Sequence, residues 1–445
     1  SGDRVYSKGW ALGTLKYFPA AQVQNAYRNG QLTAADVLLT DGVPAELPYV
    51  AGIVSLAPAT PNSHVAILAA TYRVPMVHAS TPAMVARMQS LVGKRVLLRA
   101  DERYGIGKVD VTDTTELLTA QQLADVMSLK EEEPLAITPM QARGAYYLNV
   151  DALTPADIKY VGGKAANYGY LRRATPTNTR PALGLTFDVW NAFMDQTLTT
   201  GRTLREEIAL KLAPHTWPIA NPAQMSADLL WVQDLIKNTA QTQFNPALQA
   251  GIIAALQDPT VGLDPNQKIR FRSSTNVEDT ANFTGAGLYE SFSGCLADDL
   301  DADTVGPSIC DPAEANERGV FRAIRRVFAS FYYENAWATR RRLQVNEAQV
   351  GMAMLVHHSY PDPTELANGV VILDRTPTQT NLTISTQDGA NSVTNPDPGM
   401  VSEEVMGMVL GANIYVNLNR SSNLVQIGQT VMAWETDYRS VVSLC

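Results

Sequence analysis

Cysteine is nearly absent: the 445 residues hold three, Cys295, Cys310 and Cys445. Three are too few for a structural zinc site built from cysteine alone, and far too few for a small disulfide scaffold. Cys295 and Cys310 bracket the acidic, loop-like stretch LADDLDADTVGPSI. A disulfide closing that loop in an oxidising compartment and a pair of free thiols both fit the spacing. Lysine is scarce too, 10 against 25 arginines. Codon bias or surface chemistry explains that ratio, although arginine also suits planar, bidentate contacts to phosphate or carboxylate. Positive charge is not in excess. The formal net charge of -9 argues against a general nucleic-acid binder and leaves room for a local basic pocket. No apolar run reaches the roughly 18 residues of a membrane span. No internal repeat or low-complexity tract stands out, and a start at Ser1 fits a processed or partial product, so the sequence leaves localisation open.

What is present is an ordinary globular composition, 45% hydrophobic and 18% charged, in a chain long enough for two or three domains. Residues 1–125 alternate short strands with short helical patterns, an α/β arrangement. Strands are expected at 35–40, 51–57, 74–79 and 94–100, with a helix at 64–72. The segment 126–155, with its run Glu131-Glu132-Glu133-Pro134, reads as a linker. A second region, 156–445, opens with a glycine turn into a helix (162–174) and continues through a mostly helical middle. Its expected strands lie at 268–274, 351–358, 369–374 and 381–386. Apolar positions spaced i, i+3, i+4, i+7 predict one long helix over 316–343.

His64 falls where the small-residue loop PATPNS meets the helical pattern HVAILAATY. A helix start offers unpaired N–H groups and the positive end of the dipole, which favour a phosphoryl group. A neutral imidazole there can act as a nucleophile; a histidine that only caps or packs is the plainer alternative. His78 has no such context and reads as structural. Further on, Gly162-Gly163-Lys164 puts a lysine behind flexible glycines, an incomplete phosphate motif taken alone. Arg270-Phe271-Arg272-Ser273-Ser274 alternates as a strand with Arg272 and Ser273 at its end. Phe283-Thr284-Gly285-Ala286-Gly287 follows, with glycines spaced to fold a loop over phosphates.

The stretch around Ser63-His64-Val65-Ala66-Ile67 and Arg73-Val74-Pro75-Met76-Val77 resembles the swivelling phosphohistidine domain of the phosphoenolpyruvate-utilising enzymes. Ala59 and Thr60 replace that family's paired glycines, and Asn62 replaces its threonine. The later motifs, with Met352-Ala353-Met354-Leu355-Val356-His357 and Asn368-Gly369-Val370-Val371-Ile372, resemble the ATP-grasp-like domain shared by phosphoenolpyruvate synthase, pyruvate phosphate dikinase, rifampin phosphotransferase and the glucan water dikinases. The resemblance covers most of residues 30–405. It implies an α/β and α+β architecture: a small swivelling phosphohistidine domain (1–125), a linker (126–155) and an ATP-binding domain (156–445). It implies ATP and Mg²⁺ as cofactors. Lys164 and Arg272, with Ser273, would hold the phosphates; the loop with Thr284, Gly285 and Gly287 would close over them; Leu355 and His357 would line the adenine pocket.

The resemblance further implies a dikinase-like phosphotransferase. His64 would take the β-phosphoryl group of ATP, with release of AMP and phosphate, and carry it to an unknown acceptor. The order with the histidine first is that of the glucan water dikinases. The chain has no room for a phosphoenolpyruvate-binding barrel, so nothing supports pyruvate as acceptor. Two departures stand out. His357 replaces the family's glutamine in the adenine hinge, and no Gln-x-Arg strand is evident after residue 405. Metal ligands are therefore unassigned. Asp388, Glu403 and Glu404 are acidic and near the right region, but a solvated face explains them as well. The expectation is a chain that belongs to a longer protein, or one whose missing strand a partner supplies. The alternatives are a nucleotide-binding protein that kept the fold and lost the chemistry, and an exported interaction protein. ATP use points to the cytoplasm; the Cys295/Cys310 pair and the shortage of lysine point to export.

Overall fold

The computed structural model describes the chain apart from residues 1, 44–48, 60–63, 104–105, 131–132, 239, 279–282, 284–286, 302, 304, 361–364, 394–399 and 444–445, and the side chains of residues 64, 67, 71, 103 and 106. By packing it divides into two units. One comprises Ser1–Ala26, Leu32–Thr119 and Tyr360–Cys445; the other comprises Tyr27–Gln31 and Ala120–Ser359.

The first unit opens with β1 (Arg4–Ser7), β2 (Gly9–Tyr17), β3 (Asp36–Thr40), β4 (Gly52–Ser55), β5 (Met76–His78), β6 (Arg95–Arg103) and β7 (Ile106–Asp113). They form one sheet in the order β1-β5-β4-β3-β2-β6-β7. The middle pairs β2/β3, β3/β4 and β4/β5 are parallel, and the outer pairs are antiparallel. Val37, Leu38, Leu39, Ile53 and Val54 are all buried, the continuous apolar run expected of central parallel strands covered on both faces. Helices α1 (Val23–Arg28), α2 (His64–Thr71) and α3 (Pro82–Ser90) connect them. Thr81 caps α3 by accepting the Met84 N–H, and Asp3 accepts from the Ser80 and Thr81 amides. The strands and the helix read from the sequence of this region are all present.

The second unit contains α4 (Ala120–Ser128), β8 (Tyr147–Asn149), α5 (Ile158–Ala174), β9 (Leu183–Leu185), α6 (Phe187–Met194), α7 (Leu204–Leu212), α8 (Pro222–Lys237) and α9 (Pro246–Leu256). There follow β10 (Ile269–Thr275), β11 (Ser291–Gly294), α10 (Leu296–Leu300), α11 (Val320–Ser330), α12 (Glu334–Arg342) and β12 (Met352–His358). Its five strands make an antiparallel sheet in the order β11-β10-β12-β9-β8. Val161, Ala165 and Ala166 of α5 pack with Leu355 of β12.

Three features of this unit differ from the sequence reading or decide between its alternatives. Much of the stretch read as a linker is fastened to the unit. Leu135 N donates to Leu343 O, Met140 N to Gln349 O and Gln141 N to Lys159 O, and β8 lies within 126–155. The single long helix expected over 316–343 is two helices. Phe331 ends α11 and its carbonyl accepts from Arg340 Nη1 at 2.9 Å, so a buried guanidinium, rather than another helical turn, satisfies that group. Cys295 and Cys310 form a disulfide across a separation of 15 residues, which resolves the choice that their spacing left open.

The chain then returns to the first unit as an antiparallel meander, β13 (Ala367–Arg375), β14 (Thr380–Asp388), β15 (Glu403–Leu410) and β16 (Asn413–Arg420), closed by α13 (Arg439–Ser443). Tyr438 and Val442 pack on Leu382, Ile384 and Val405. No described helix is long and apolar enough to cross a membrane.

Candidate functional site

Two sequence motifs meet at the start of α5. Gly162 interrupts that helix with φ 75° and ψ 171°, a backbone region essentially closed to other residues. The helix restarts behind it. Ser274 of β10 caps the restart from 109 residues away: its hydroxyl accepts from Ala165 N at 2.9 Å and donates to Val161 O at 2.7 Å. A Cβ on Gly162 would lie 1.9 Å from Ser274 O, so only glycine permits this approach. Lys164 then sits beside the end of β10. Its Nζ donates to Ser273 O at 2.9 Å and to Glu278 Oε1 at 3.0 Å. Thr275 Oγ1 accepts the Val277 and Glu278 amides, a local turn that brings Glu278 back towards the lysine. Glu278 is 3% exposed. Such a buried carboxylate orients the ammonium and holds its charge in place.

The β10/β12 register puts Arg270 opposite His357 and Arg272 opposite Leu355. Directly paired residues of antiparallel strands project on the same face, so both arginines and His357 share one. Tyr168 of α5 stacks on His357, with centroids 6.1 Å apart and planes 14° from parallel. His357 Nδ1 lies 2.7 Å from the His358 carbonyl oxygen. As a donor there, it leaves Nε2 as an acceptor. Burial pushes the His357 pKa down to about 4, with the positive charges of Arg272, Arg180 and Arg270 acting in the same direction. The result is a cationic face next to a neutral, stacked imidazole. It suits an anion joined to a flat, polar-edged ring.

The second cluster was not anticipated. A bulge between β15 and β16 pairs Glu404 with Arg420 and Val405 with Leu418, so both Asn419 and Arg420 fall opposite Glu404. Asn419 Nδ2 donates to Glu404 Oε1 at 3.3 Å. Glu404 Oε2 stands 3.9 Å from Arg4 Nη1 and 4.0 Å from Arg420 Nη2. It is buried and has no hydrogen-bond partner among the described residues. Arg420 Nη1 donates to Ala59 O at 3.1 Å, and the Ala59 amide donates to the Tyr6 hydroxyl at 2.8 Å. Ala59 stands in the loop that leads to His64. A carboxylate, a carboxamide and a guanidinium thus assemble against the base of that loop within one unit.

The residues singled out in the sequence fall partly within the described structure. His64 is the first residue of α2, and its side chain lies outside the described residues, as do Thr284 and Gly285. Gly287 is described, with φ +83°. Arg272 is exposed on its strand. Ser273 and Leu355 are both 1% exposed. The Ser273 carbonyl and hydroxyl face Lys164, and Leu355 belongs to the core beneath α5. The solvated-face reading of Glu403 and Glu404 fails, at 0% and 6% exposure. Tyr438 donates to Glu403, whose pKa burial raises. Asp388 is exposed, as that reading had it. The Gln-x-Arg pattern is indeed absent, but Asn419 and Arg420 were missed because β15 and β16 were not read as strands. The turn at Gly411 between two alternating runs was the available signal.

A lysine behind a glycine break, an arginine strand beside it and a stacked ring define a nucleotide-binding α/β domain. The family model described as the AMP/ATP-binding domain of pyruvate phosphate dikinase matches residues 158–403, more than half of the chain, and the protein belongs to this family. No curated protein matches the chain.

Proposed function

We propose that the protein is a dikinase-like phosphotransferase in which His64 carries a phosphoryl group from ATP to an acceptor. The observation that carries this reading is the contact of Arg420 with the Ala59 carbonyl, beside Glu404. It joins the loop leading to His64 to a hairpin bearing the charges that phosphoryl transfer requires. In this reading residues 1–125 are the carrier and the matched residues bind the nucleotide. Lys164 and Arg272 neutralise phosphate oxygens, Glu278 orients Lys164, and His357 with Tyr168 receives the base. Catalysis of this type rests on positioning and charge stabilisation.

A ring nitrogen of His64 attacks the β-phosphorus, the bond to the AMP oxygen breaks, and AMP leaves. Water then attacks the γ-phosphorus of the pyrophosphoryl-histidine, which releases phosphate and leaves phosphohistidine. Glu404 Oε2, buried without a hydrogen-bond partner among the described residues, fits a hard divalent cation, which takes oxygen donors of this kind. The Asn419 side-chain oxygen is a second donor on the same hairpin. Magnesium held there would supply charge neutralisation to the phosphates.

ATP labelled in the β-phosphoryl group tests the proposal. Acid-labile label on the protein, with AMP released, is the expected result, and both should vanish in His64→Ala. AMP release that persists in that variant would remove the carrier role. Tight ATP binding with no AMP at all would favour a nucleotide-binding protein that has lost the chemistry.

A further inference from the structure

The second unit carries a partly open cavity of about 290 Å³ that shares no lining residue with the Lys164, Arg272 and His357 face. Its volume stands at the small end of ligand cavities, roughly 300–1,000 Å³. Trp190, Ile208, Leu212, Phe331, Trp337 and Val350 give it aromatic and aliphatic walls. Three charged side chains and one histidine also line it, and three of these four already have partners. Arg205 is held by Asp195 at 2.7 Å and Asn191 at 2.9 Å. His215 bonds Asp228 at 2.8 Å. Glu347 engages Arg340 through both oxygens, at 2.9 and 3.2 Å.

Arg341 is the exception. Its Nε is buried without a hydrogen-bond partner among the described residues, and its guanidinium carbon lies 5.8 Å from the Trp337 ring centroid. Among the described residues no carboxylate pairs with it. An arginine stays charged at every accessible pH, and a half-buried charge left unmatched is costly. The Trp190 indole N–H, on a residue 1% exposed, also lacks a partner among the described residues. One unmatched positive charge on an aromatic-walled cavity selects a ligand with one negative charge and a flat apolar body. It cannot balance a polyphosphate.

We infer that this cavity binds a small aromatic monocarboxylate, with its ring between Trp337, Phe331 and the aliphatic wall and its carboxylate on Arg341. Such a pairing is charge-assisted and bidentate. The site lies outside the nucleotide machinery proposed above and does not depend on it.

The test titrates the full chain, without ATP, with benzoate, phenylacetate, 3-phenylpropionate and indole-3-acetate, and with the neutral amide of each. Calorimetry reads affinity, and for the three phenyl ligands quenching of tryptophan fluorescence reports on Trp190 and Trp337. At least one carboxylate should bind saturably, roughly tenfold or more tighter than its amide. Arg341→Gln should bring that carboxylate down to the amide's affinity and leave the amide unchanged. Ala209→Phe, which fills the cavity, should abolish both. The thermal midpoint of each variant shows that it is folded. Absence of saturable binding for all four acids, or carboxylate binding that survives Arg341→Gln, overturns the inference.

Discussion

At Gly162 a missing side chain holds two motifs together. The φ of 75° and the 1.9 Å approach to Ser274 O leave no room for a methyl group. Gly162→Ala should lower stability by about 3 kcal/mol, from strain and from separation of the α5 restart from its cap. Urea denaturation would read this as a lower midpoint at unchanged slope. His357 gives a pH prediction. Its folded pKa of about 4 lies below the ordinary 6.5, so the unfolded chain binds the proton first. Its contribution to stability is complete above pH 6.5 and is lost as the pH falls towards 4. His357→Gln should flatten the stability profile across that window, checked by unfolding at a series of pH values. Lys164 and Arg272 were legible in the sequence because their charge and motif position are written there. The burial of Ser273 and Leu355 was not, since it depends on α5 packing on a strand more than 100 residues away.

Among the elements, the β15/β16 hairpin carries the sharpest consequence. Its bulge places Asn419 and Arg420 together opposite Glu404, and Arg420 reaches the Ala59 carbonyl. Lysine in place of Arg420 keeps the charge but loses the fork that spans Ser402, Ala59 and Glu404. Arg420→Lys should reduce labelling of His64 by roughly tenfold or more. ATP affinity, measured by equilibrium dialysis, should change by less than about twofold. Equal losses in both would remove the hairpin from the transfer step and make it part of the nucleotide site. The strands of the first sheet were readable from apolar runs bounded by turn residues. The break between α11 and α12 was not, because the apolar period continues through Phe331 and the periodicity does not show that Arg340 bonds the Phe331 carbonyl.

Taken whole, the molecule divides differently from its motifs. Residues 360–445 group with 1–26 and 32–119, and apart from the short excursion at 27–31 the chain passes between units at Thr119/Ala120 and Ser359/Tyr360, not in the middle of 126–155. Sequence order could not reveal this, because the contact between residues 59 and 420 spans most of the chain. The family model ends at residue 403, one residue before Glu404, which stands beside the Arg420 that bonds the Ala59 carbonyl. That juxtaposition is the centre of the account, and it makes the identity of the phosphorylated residue the decisive observation. The full chain, incubated with ATP and Mg²⁺ and digested under alkaline conditions, should yield one phosphorylated peptide whose fragmentation places the phosphate on His64. Phosphate on any other residue, or an unmodified His64 peptide while AMP accumulates, would contradict it.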